Sequence, residues 1–136
     1  MKGMMKVKTS ELIGDALDWA VAKCEGHLIA KHRRGGDIRI HTPYPKPMFS
    51  RTIPFCPSTD WAMGGAIIER KKIGVVCIPE GALAWAASVD KPNCLIRFNK
   101  TGATPLIAAM RCYVASRLGD EIEIPAKFNY KMEELK

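Results

Sequence analysis

The stretch TPLIAAMRCYVASRLG, residues 104–119, predicts a helix with both of its ends marked. Thr104 suits the N-cap, and Pro105 suits the first helical position because its missing amide is not needed there. Gly119 is typical of the residue that stops a helix. The spacing of apolar residues predicts one buried face, formed by Ile107, Met110, Val114 and Leu118.

Two further helices are predicted nearer the start of the chain. The first follows Thr9 and Ser10, which are both suitable N-caps, and Gly26 lies just past its end. Its apolar residues recur at helical spacing, at Ile13, Leu17, Ala20 and Cys24. The second begins at residues 57–59, and its predicted face is formed by Trp61, Ala62, Gly65, Ile68 and Lys72.

Short β-rich runs separate the helices. Residues 27–32 and 37–41 flank Arg33-Arg34-Gly35-Gly36 and predict a hairpin. Four more strands are predicted at 73–78, 83–89, 94–98 and 121–124. The five prolines of residues 42–57 predict an extended loop. Because consecutive strands are joined by short turns, we expect an α+β fold, a mainly antiparallel sheet layered with three helices.

Length and composition fit one globular domain spanning residues 1–136, with a short flexible C-terminal tail. Hydrophobic residues make up 47 % and charged residues 26 % of the chain, as in ordinary folded domains. No apolar run approaches the ~18 residues that span a bilayer, and the N-terminus lacks the features of a secretory signal. We therefore expect a cytoplasmic protein without a membrane contact.

The five cysteines are odd in number and contain no Cys-x-x-Cys motif. This pattern fits neither a zinc site nor a disulfide framework. It predicts small buried side chains in a reducing compartment. No metal and no cofactor is expected.

Three blocks of the sequence resemble a phage family. They are VKTSELIG followed by ALDWAVA (7–22), PSTDWA followed by GG and IIE (57–69), and TPLIAAMRCYVAS followed by LGDE (104–121). Together they resemble the NinX-like proteins of lambdoid phages and prophages, and the last two blocks also resemble the phage ABA sandwich domain. The resemblance implies a phage-derived protein of the host cytoplasm, with helices on both sides of a sheet. It implies no reaction, because none is established for the family.

Residues suited to catalysis do not converge in the sequence. His27, His32 and His41 all fall in or beside the predicted hairpin, where they are expected to be ordinary exposed residues. Asp18 and Asp60 each precede a tryptophan, so a pair of carboxylates is conceivable. The alternative for Asp60 is a place in the first turn of its helix, where an anion balances the helix dipole. A protein without enzymatic activity is expected.

Two predicted helix starts favour anion binding. Residues 57–59 and 100–104 each lead into a helix, whose N-terminus offers unpaired amides and a partial positive charge. Hydroxyl groups and Lys100 add donors, although simple capping is the alternative for each start. The residues predicted to bind a ligand are Ser58, Thr59, Asp60, Trp61, Lys100, Thr101, Gly102, Thr104, Arg111, Arg33, Arg34 and Arg39.

The segment from Lys31 to Arg51 is strongly basic, with six basic residues and one acidic residue. Arginine side chains bind phosphate in a bidentate manner, so this segment suits the rim of a nucleotide site or a contact with nucleic acid. The alternative is a solvated hairpin whose charge aids solubility.

These features favour a non-enzymatic binding protein for an anionic, nucleotide-like small molecule. In a phage, such a protein would act as a sponge that sequesters host anti-phage immune signals. A homo-oligomer is expected because pockets are often shared between subunits. One alternative is a nucleic-acid-binding accessory protein, although no known nucleic-acid-binding motif is present. Another alternative is a protein inhibitor of a host factor.

Overall fold

The structure is a computed structural model that describes residues 3–30, 38–41, 52–78, 85–90 and 97–128. These ranges contain three helices and seven strands, with antiparallel pairing throughout, so the predicted α+β class is confirmed. The helices are α1 (Gly14–Glu25), α2 (Trp61–Lys71) and α3 (Pro105–Leu118). The strands are β1 (Met4–Lys8), β2 (Arg39–His41), β3 (Thr52–Pro54), β4 (Gly74–Cys77), β5 (Trp85–Asp90), β6 (Arg97–Gly102) and β7 (Glu121–Pro125).

The described strands form three small sheets. β1 pairs with β7, β2 pairs with β3, and β5 lies between β4 and β6. In the first sheet Lys6 stands opposite Glu123 and Lys8 opposite Glu121, a pairing of opposite charges that stabilises the register. β1 was not predicted from the sequence, although the alternation of Met5 and Val7 with lysines has the two-residue period of a strand.

Helix α3 lies at the centre of the fold. One side of it packs on β4, β5 and β6, while α1 and α2 pack against it from other directions. Every residue from Ala108 to Ala115 is buried as a result. In the described residues α3 therefore lies between the β4–β5–β6 sheet and its contacts with α1 and α2.

The ends of α3 agree with the sequence, but its predicted buried face is only partly right. Thr104 is the N-cap, with its hydroxyl accepting from the Ile107 amide at 3.1 Å, and Gly119 follows the last turn. Met110 and Val114 are buried, whereas Leu118 is exposed and was wrongly assigned to the core. A helix enclosed on all sides shows no single apolar stripe, so periodicity could not define its face.

The start of α1 was also predicted wrongly. Thr9 and Ser10 do not cap the helix, because residues 9–11 form a 3₁₀ turn and α1 begins at Gly14. The Thr9 hydroxyl instead donates to the carbonyl oxygen of Gly119 at 2.6 Å, a partner 110 residues away. The C-terminal end of α1 is as predicted, with Gly26 in the left-handed conformation at φ 75°.

The strands agree with the prediction at the hairpin and depart from it in two places. Residues 28–30 face 39–41 as the predicted hairpin requires, through Ala30 N–H to Arg39 O and His41 N–H to Leu28 O, while the turn at 33–36 lies outside the described residues. Residues 52–54 form β3 rather than loop, because they pair with β2. β6 continues past the predicted end at Phe98, so that residues 100–102 also pair with β5, while residues 94–96 of the predicted strand lie outside the described residues.

The predicted face of α2 is largely exposed, although Ile68 on it packs against the core. Gly64 and Ile67 are the buried residues of α2, while Trp61 and Ala62 face solvent and Lys72 is exposed just past its end.

The cysteines differ in burial. Cys24 and Cys112 are buried as expected, Cys77 is exposed, and Cys94 lies outside the described residues. None of the helices in the described ranges is long and apolar enough to cross a membrane.

Candidate functional site

The start of α2 is held by two carboxylates. Asp18, buried in the middle of α1, accepts a hydrogen bond at 2.9 Å from the backbone amide of Ser58. Asp60 is the N-cap and accepts from the amide of Ala62 at 2.8 Å. Both acidic residues that precede a tryptophan therefore serve the same turn, where they satisfy free amides and offset the helix dipole.

The hydroxyl of Ser58 is the exception in this turn. Ser58 is only 3 % exposed, and its Oγ has no hydrogen-bond partner among the described residues. A buried polar group without a partner costs free energy, and such groups are rare in folded proteins. Thr59, the next residue, is exposed, and its hydroxyl makes only a long contact of 3.4 Å with the Cys56 carbonyl.

The first turns of α2 and α3 are packed against each other. Gly64 lies so close to Leu106 that a Cβ atom at residue 64 would stand 2.6 Å from the Leu106 Cδ2. The same Cβ would also collide with the carbonyl oxygen of Pro57. The two helix starts that the sequence suggested for anion binding are thus neighbours in the fold.

The start of α3 differs from that of α2 in its charge. Its cap is the neutral hydroxyl of Thr104, which is exposed, and Ala103 beside it is exposed as well. Gly102 is buried against this turn, since a Cβ there would lie 2.8 Å from the Ala108 amide nitrogen. Gly102 therefore permits close packing of β6 on α3 rather than forming a phosphate-binding loop.

Arg111 is used within the fold. It is buried, with Nε donating to the Leu12 carbonyl at 2.7 Å and Nη1 donating to the Thr101 carbonyl at 2.9 Å. Burial lowers the pKa of its guanidinium. These bonds link the turn before α1 to β6 through the central helix, so the structure does not present Arg111 to a ligand.

The other predicted basic residues are also engaged or lie elsewhere. Lys100 points along α3 toward its C-terminal end, where Nζ lies 3.1 Å from the Asp120 carboxylate. Arg39 donates to the hydroxyl and the carbonyl of Thr52 on the neighbouring strand. Arg33 and Arg34 lie outside the described residues. Neither Lys100 nor Arg39 is therefore brought to the paired helix starts.

A polar cluster that the sequence did not suggest joins the three helices. Glu25, at the end of α1, accepts from the Tyr113 hydroxyl at 2.6 Å and from the Arg70 guanidinium. Lys71 Nζ lies 5.8 Å from the centre of the Tyr113 ring. Burial and the bond to Glu25 raise the pKa of Tyr113. Burial acts to raise the pKa of Glu25, but the bonds from Tyr113 and Arg70 outweigh it and lower that pKa overall.

The buried cysteines are poor nucleophiles in this fold. Burial raises the pKa of Cys24 to about 12 and that of Cys112 to about 11. Since the thiolate is the reactive form, both thiols are protonated and unreactive at neutral pH. Within the part of the chain that the structure describes, no three His, Cys, Asp or Glu side chains are grouped to hold a metal ion.

The comparison with known families gives one match. A family model described as Bacteriophage P22, NinX matches residues 8–117, which include α1, α2, all but the last residue of α3 and most of the described strands. No curated protein matches the chain.

Proposed function

This chain belongs to the bacteriophage P22 NinX family, and from that premise we propose that it is a phage protein that binds an anionic, nucleotide-like small molecule without turning it over. The proposed site lies where the starts of α2 and α3 meet. In an infected cell the protein would act as a sponge, lowering the free concentration of a host anti-phage immune signal.

The contact between Gly64 and Leu106 is the observation that carries the proposal. A helix N-terminus attracts anions through its free amides and its partial positive charge, and here the first turns of two helices lie against each other. The α3 start is the better phosphate subsite, because the neutral Thr104 hydroxyl caps it. The α2 start already carries Asp60 as its own anion.

Hydroxyl groups beside the two starts provide the remaining donors. Thr59 and Thr104 are exposed, and the Ser58 hydroxyl is unused by the described residues. Burial keeps the thiols of Cys24 and Cys112 protonated, which is in keeping with binding rather than with nucleophilic catalysis by either cysteine.

Calorimetric titration tests the proposal with defined probes. ADP-ribose, 3′,5′-cyclic AMP and AMP carry phosphate, whereas adenosine has the same base and sugar without charge. We expect at least one phosphate-bearing probe to bind with a micromolar or lower dissociation constant. Adenosine should bind at least about tenfold more weakly than that probe. If none of the phosphate-bearing probes binds at micromolar concentration, the proposal is wrong.

A charge placed beside the α3 start locates the site. Ala103→Glu adds a carboxylate next to the Thr104 cap, where it suits the helix dipole and leaves the fold intact. This variant should bind the phosphate-bearing probe about tenfold more weakly, while the uncharged Ala103→Gln should bind as the parent does. Equal affinity of all three proteins would place the ligand elsewhere.

The opposite change at the α2 start should strengthen binding. Asp60→Asn keeps a cap acceptor for the Ala62 amide and removes a negative charge near the phosphate. We expect its affinity for the same probe to rise severalfold.

The salt dependence of binding separates this site from a nucleic-acid interface. A pocket that contacts one or two phosphates loses affinity with rising salt far less steeply than a surface that contacts many.

A further inference from the structure

Strand β4 lies at an edge of its sheet among the described residues, where β5 is its neighbour on one side. This edge is open to solvent, since Val76 is 62 % exposed and Gly74 and Cys77 are exposed as well. Along an edge strand, every second residue turns its N–H and C=O groups away from the sheet. These groups fit one kind of occupant, an extended strand that supplies the matching donors and acceptors.

The features that normally protect an edge strand are missing from β4. Proteins block such edges with charged side chains, with proline or with bulges. Residues 73–78 include no charged residue and no proline. The pairing of β4 with β5 runs from Gly74 to Cys77 without a bulge. An uncharged edge rich in β-branched residues is therefore suited to pair with a further strand.

Side chains alternate between the two faces of β4. Val75 packs against the hydrophobic core and stands opposite Ala87, which is 2 % exposed. Val75 therefore lies on the face of the sheet that α3 covers, and Gly74 and Val76 lie on the outer face. Of these two, only Val76 carries a side chain, and more than half of it is uncovered.

We propose that β4 pairs antiparallel with β4 of a second copy of this chain, about a two-fold axis that passes through Val76 at right angles to the sheet. Val76 then meets Val76 of the second copy. On the inner face, Val75 lies across from the second copy's Cys77. On the outer face, Gly74 lies across from Ile78, which directly follows the strand.

The backbone and the side chains both favour this register. The amide of Ile73 already donates to the Ile68 carbonyl at 3.0 Å, so the free edge begins at Gly74. With the axis at Val76, the exposed valine of each copy covers that of the other, a β-branched pair of the kind that stabilises sheets. Gly74 has no side chain and leaves space for the larger Ile78.

A second copy is the occupant that this edge fits. An antiparallel edge is complementary to itself, because the two-fold rotation sets each N–H group opposite a C=O group of the same strand. The same rotation joins the two three-stranded sheets into one and keeps α3 of both copies on one side of it. The contact is isologous and occupies both β4 edges, so it closes as a dimer.

The length of β4 sets the expected strength. Strands of 4 residues bury less than the roughly 1,200 Å² at the lower bound of stable interfaces. We therefore expect a reversible dimer whose population rises with protein concentration. The pairing does not depend on ligand binding.

Sedimentation velocity over a range of protein concentrations tests the pairing. The parent should shift from its 15.1 kDa monomer toward twice that mass as concentration rises. Val76→Lys places two like charges together at the axis and should weaken association by about tenfold or more. Met4→Lys adds the same charge at a residue that is 53 % exposed in β1, outside this sheet, and should associate as the parent does. Because both side chains are exposed, both variants should keep the parent's fold, which circular dichroism checks.

A cysteine at the axis gives a second, independent measurement. In a Cys77→Ser background, which removes the exposed native thiol, Val76→Cys should form a disulfide-linked dimer under mild oxidation, because a residue on a two-fold axis meets its own copy. Met4→Cys in the same background should not. A parent that stays monomeric at all concentrations, or a Val76→Lys variant that dimerises as well as the parent, overturns the pairing.

The outcomes also separate this inference from the proposed function. A monomeric parent that still binds ADP-ribose or cyclic AMP overturns the pairing alone. A dimeric parent, sensitive to Val76→Lys, that binds none of the phosphate-bearing probes supports the pairing and overturns the proposed function alone.

Discussion

The Tyr113 hydroxyl donates to the Glu25 carboxylate over 2.6 Å and thereby ties the middle of α3 to the last residue of α1. Arg70 at the end of α2 binds the same carboxylate, so one acidic side chain holds three helices. Sequence separation conceals this contact, because Glu25 and Tyr113 are 88 residues apart. Two of the predictions below concern this cluster.

Acid should weaken the fold through Glu25. The bonds from Tyr113 and Arg70 lower the pKa of Glu25 in the folded state, so its contribution to stability is complete above the unfolded carboxyl pKa of about 4.3 and is lost as pH falls through the folded pKa. The free energies of unfolding in urea should differ widely between the parent and Glu25→Gln near neutral pH. The two values should converge in acid. A difference that does not change with pH would contradict this role.

Removal of the Tyr113 hydroxyl should cost stability at neutral pH. Tyr113→Phe keeps the buried ring but leaves the Glu25 carboxylate without one charged hydrogen bond, so we expect a loss of about 1–2 kcal/mol in the free energy of unfolding. The loss should shrink in Glu25→Gln, and a double-mutant cycle measures that coupling. Additive effects would mean that the two side chains act separately.

Arg111 should be among the residues that stability depends on most. Arg111→Met has a similar length, but it leaves the Leu12 and Thr101 carbonyls without their donors, and we expect a loss of about 2–4 kcal/mol. Arg111→Lys keeps the charge but not the planar fork, so it should recover only part of this. Thermal unfolding should rank the stabilities as parent, then Arg111→Lys, then Arg111→Met. An Arg111→Met variant as stable as the parent would contradict this prediction.

Adjacent glycines in α2 should respond in opposite directions to the same substitution. Gly64→Ala drives a Cβ into Leu106 and the Pro57 carbonyl, and we expect a loss of about 2–3 kcal/mol. Gly65→Ala meets only an ordinary contact with Trp61 and should gain about 0.5–1 kcal/mol from the higher helix propensity of alanine. Urea denaturation measures the free energy of unfolding of both variants, and each variant serves as the control for the other.

Two side chains at the turn before α2, those of Asp18 and Ser58, should contribute differently to the free energy of unfolding. Asp18→Ala removes the acceptor of the buried Ser58 amide and should cost about 1–3 kcal/mol. Ser58→Ala removes a hydroxyl that has no partner in the described residues, so stability should stay unchanged or rise. Urea denaturation of the two variants measures this difference, and a Ser58→Ala protein less stable than the parent would contradict it.

Local signals in the sequence predicted local structure well. Thr104 and Gly119 mark the ends of α3, and Gly26 ends α1, because caps depend on the conformation of one or two residues. Thr9 misled the prediction because its hydroxyl bonds to Gly119, a partner that only the folded chain supplies. The strand β3 was missed for the same kind of reason, since it exists by pairing with β2.

The candidate site also depends on contacts between residues far apart along the chain, which the sequence did not reveal. Its helix starts were identified from Ser58 and Thr104, but their contact through Gly64 and Leu106 was not, since two helices far apart in sequence leave no sign of packing together. Lys100 was assigned to a ligand because a basic residue near a helix start suits phosphate, and Arg111 was assigned to the same ligand. Their intramolecular partners, the Leu12 carbonyl and Asp120, could be found only in the fold.

The enclosure of α3 governs the order in which this protein can fold during synthesis. The ribosome releases the N-terminal helix first, yet the surface on which that helix packs lies on α3, which ends at Leu118. Until then the apolar side of α1 has no native cover from α3 and is open to chaperones and to aggregation. Truncated nascent chains that stop before residue 105 should therefore remain protease-sensitive, with protection arriving abruptly once the last quarter of the chain has emerged.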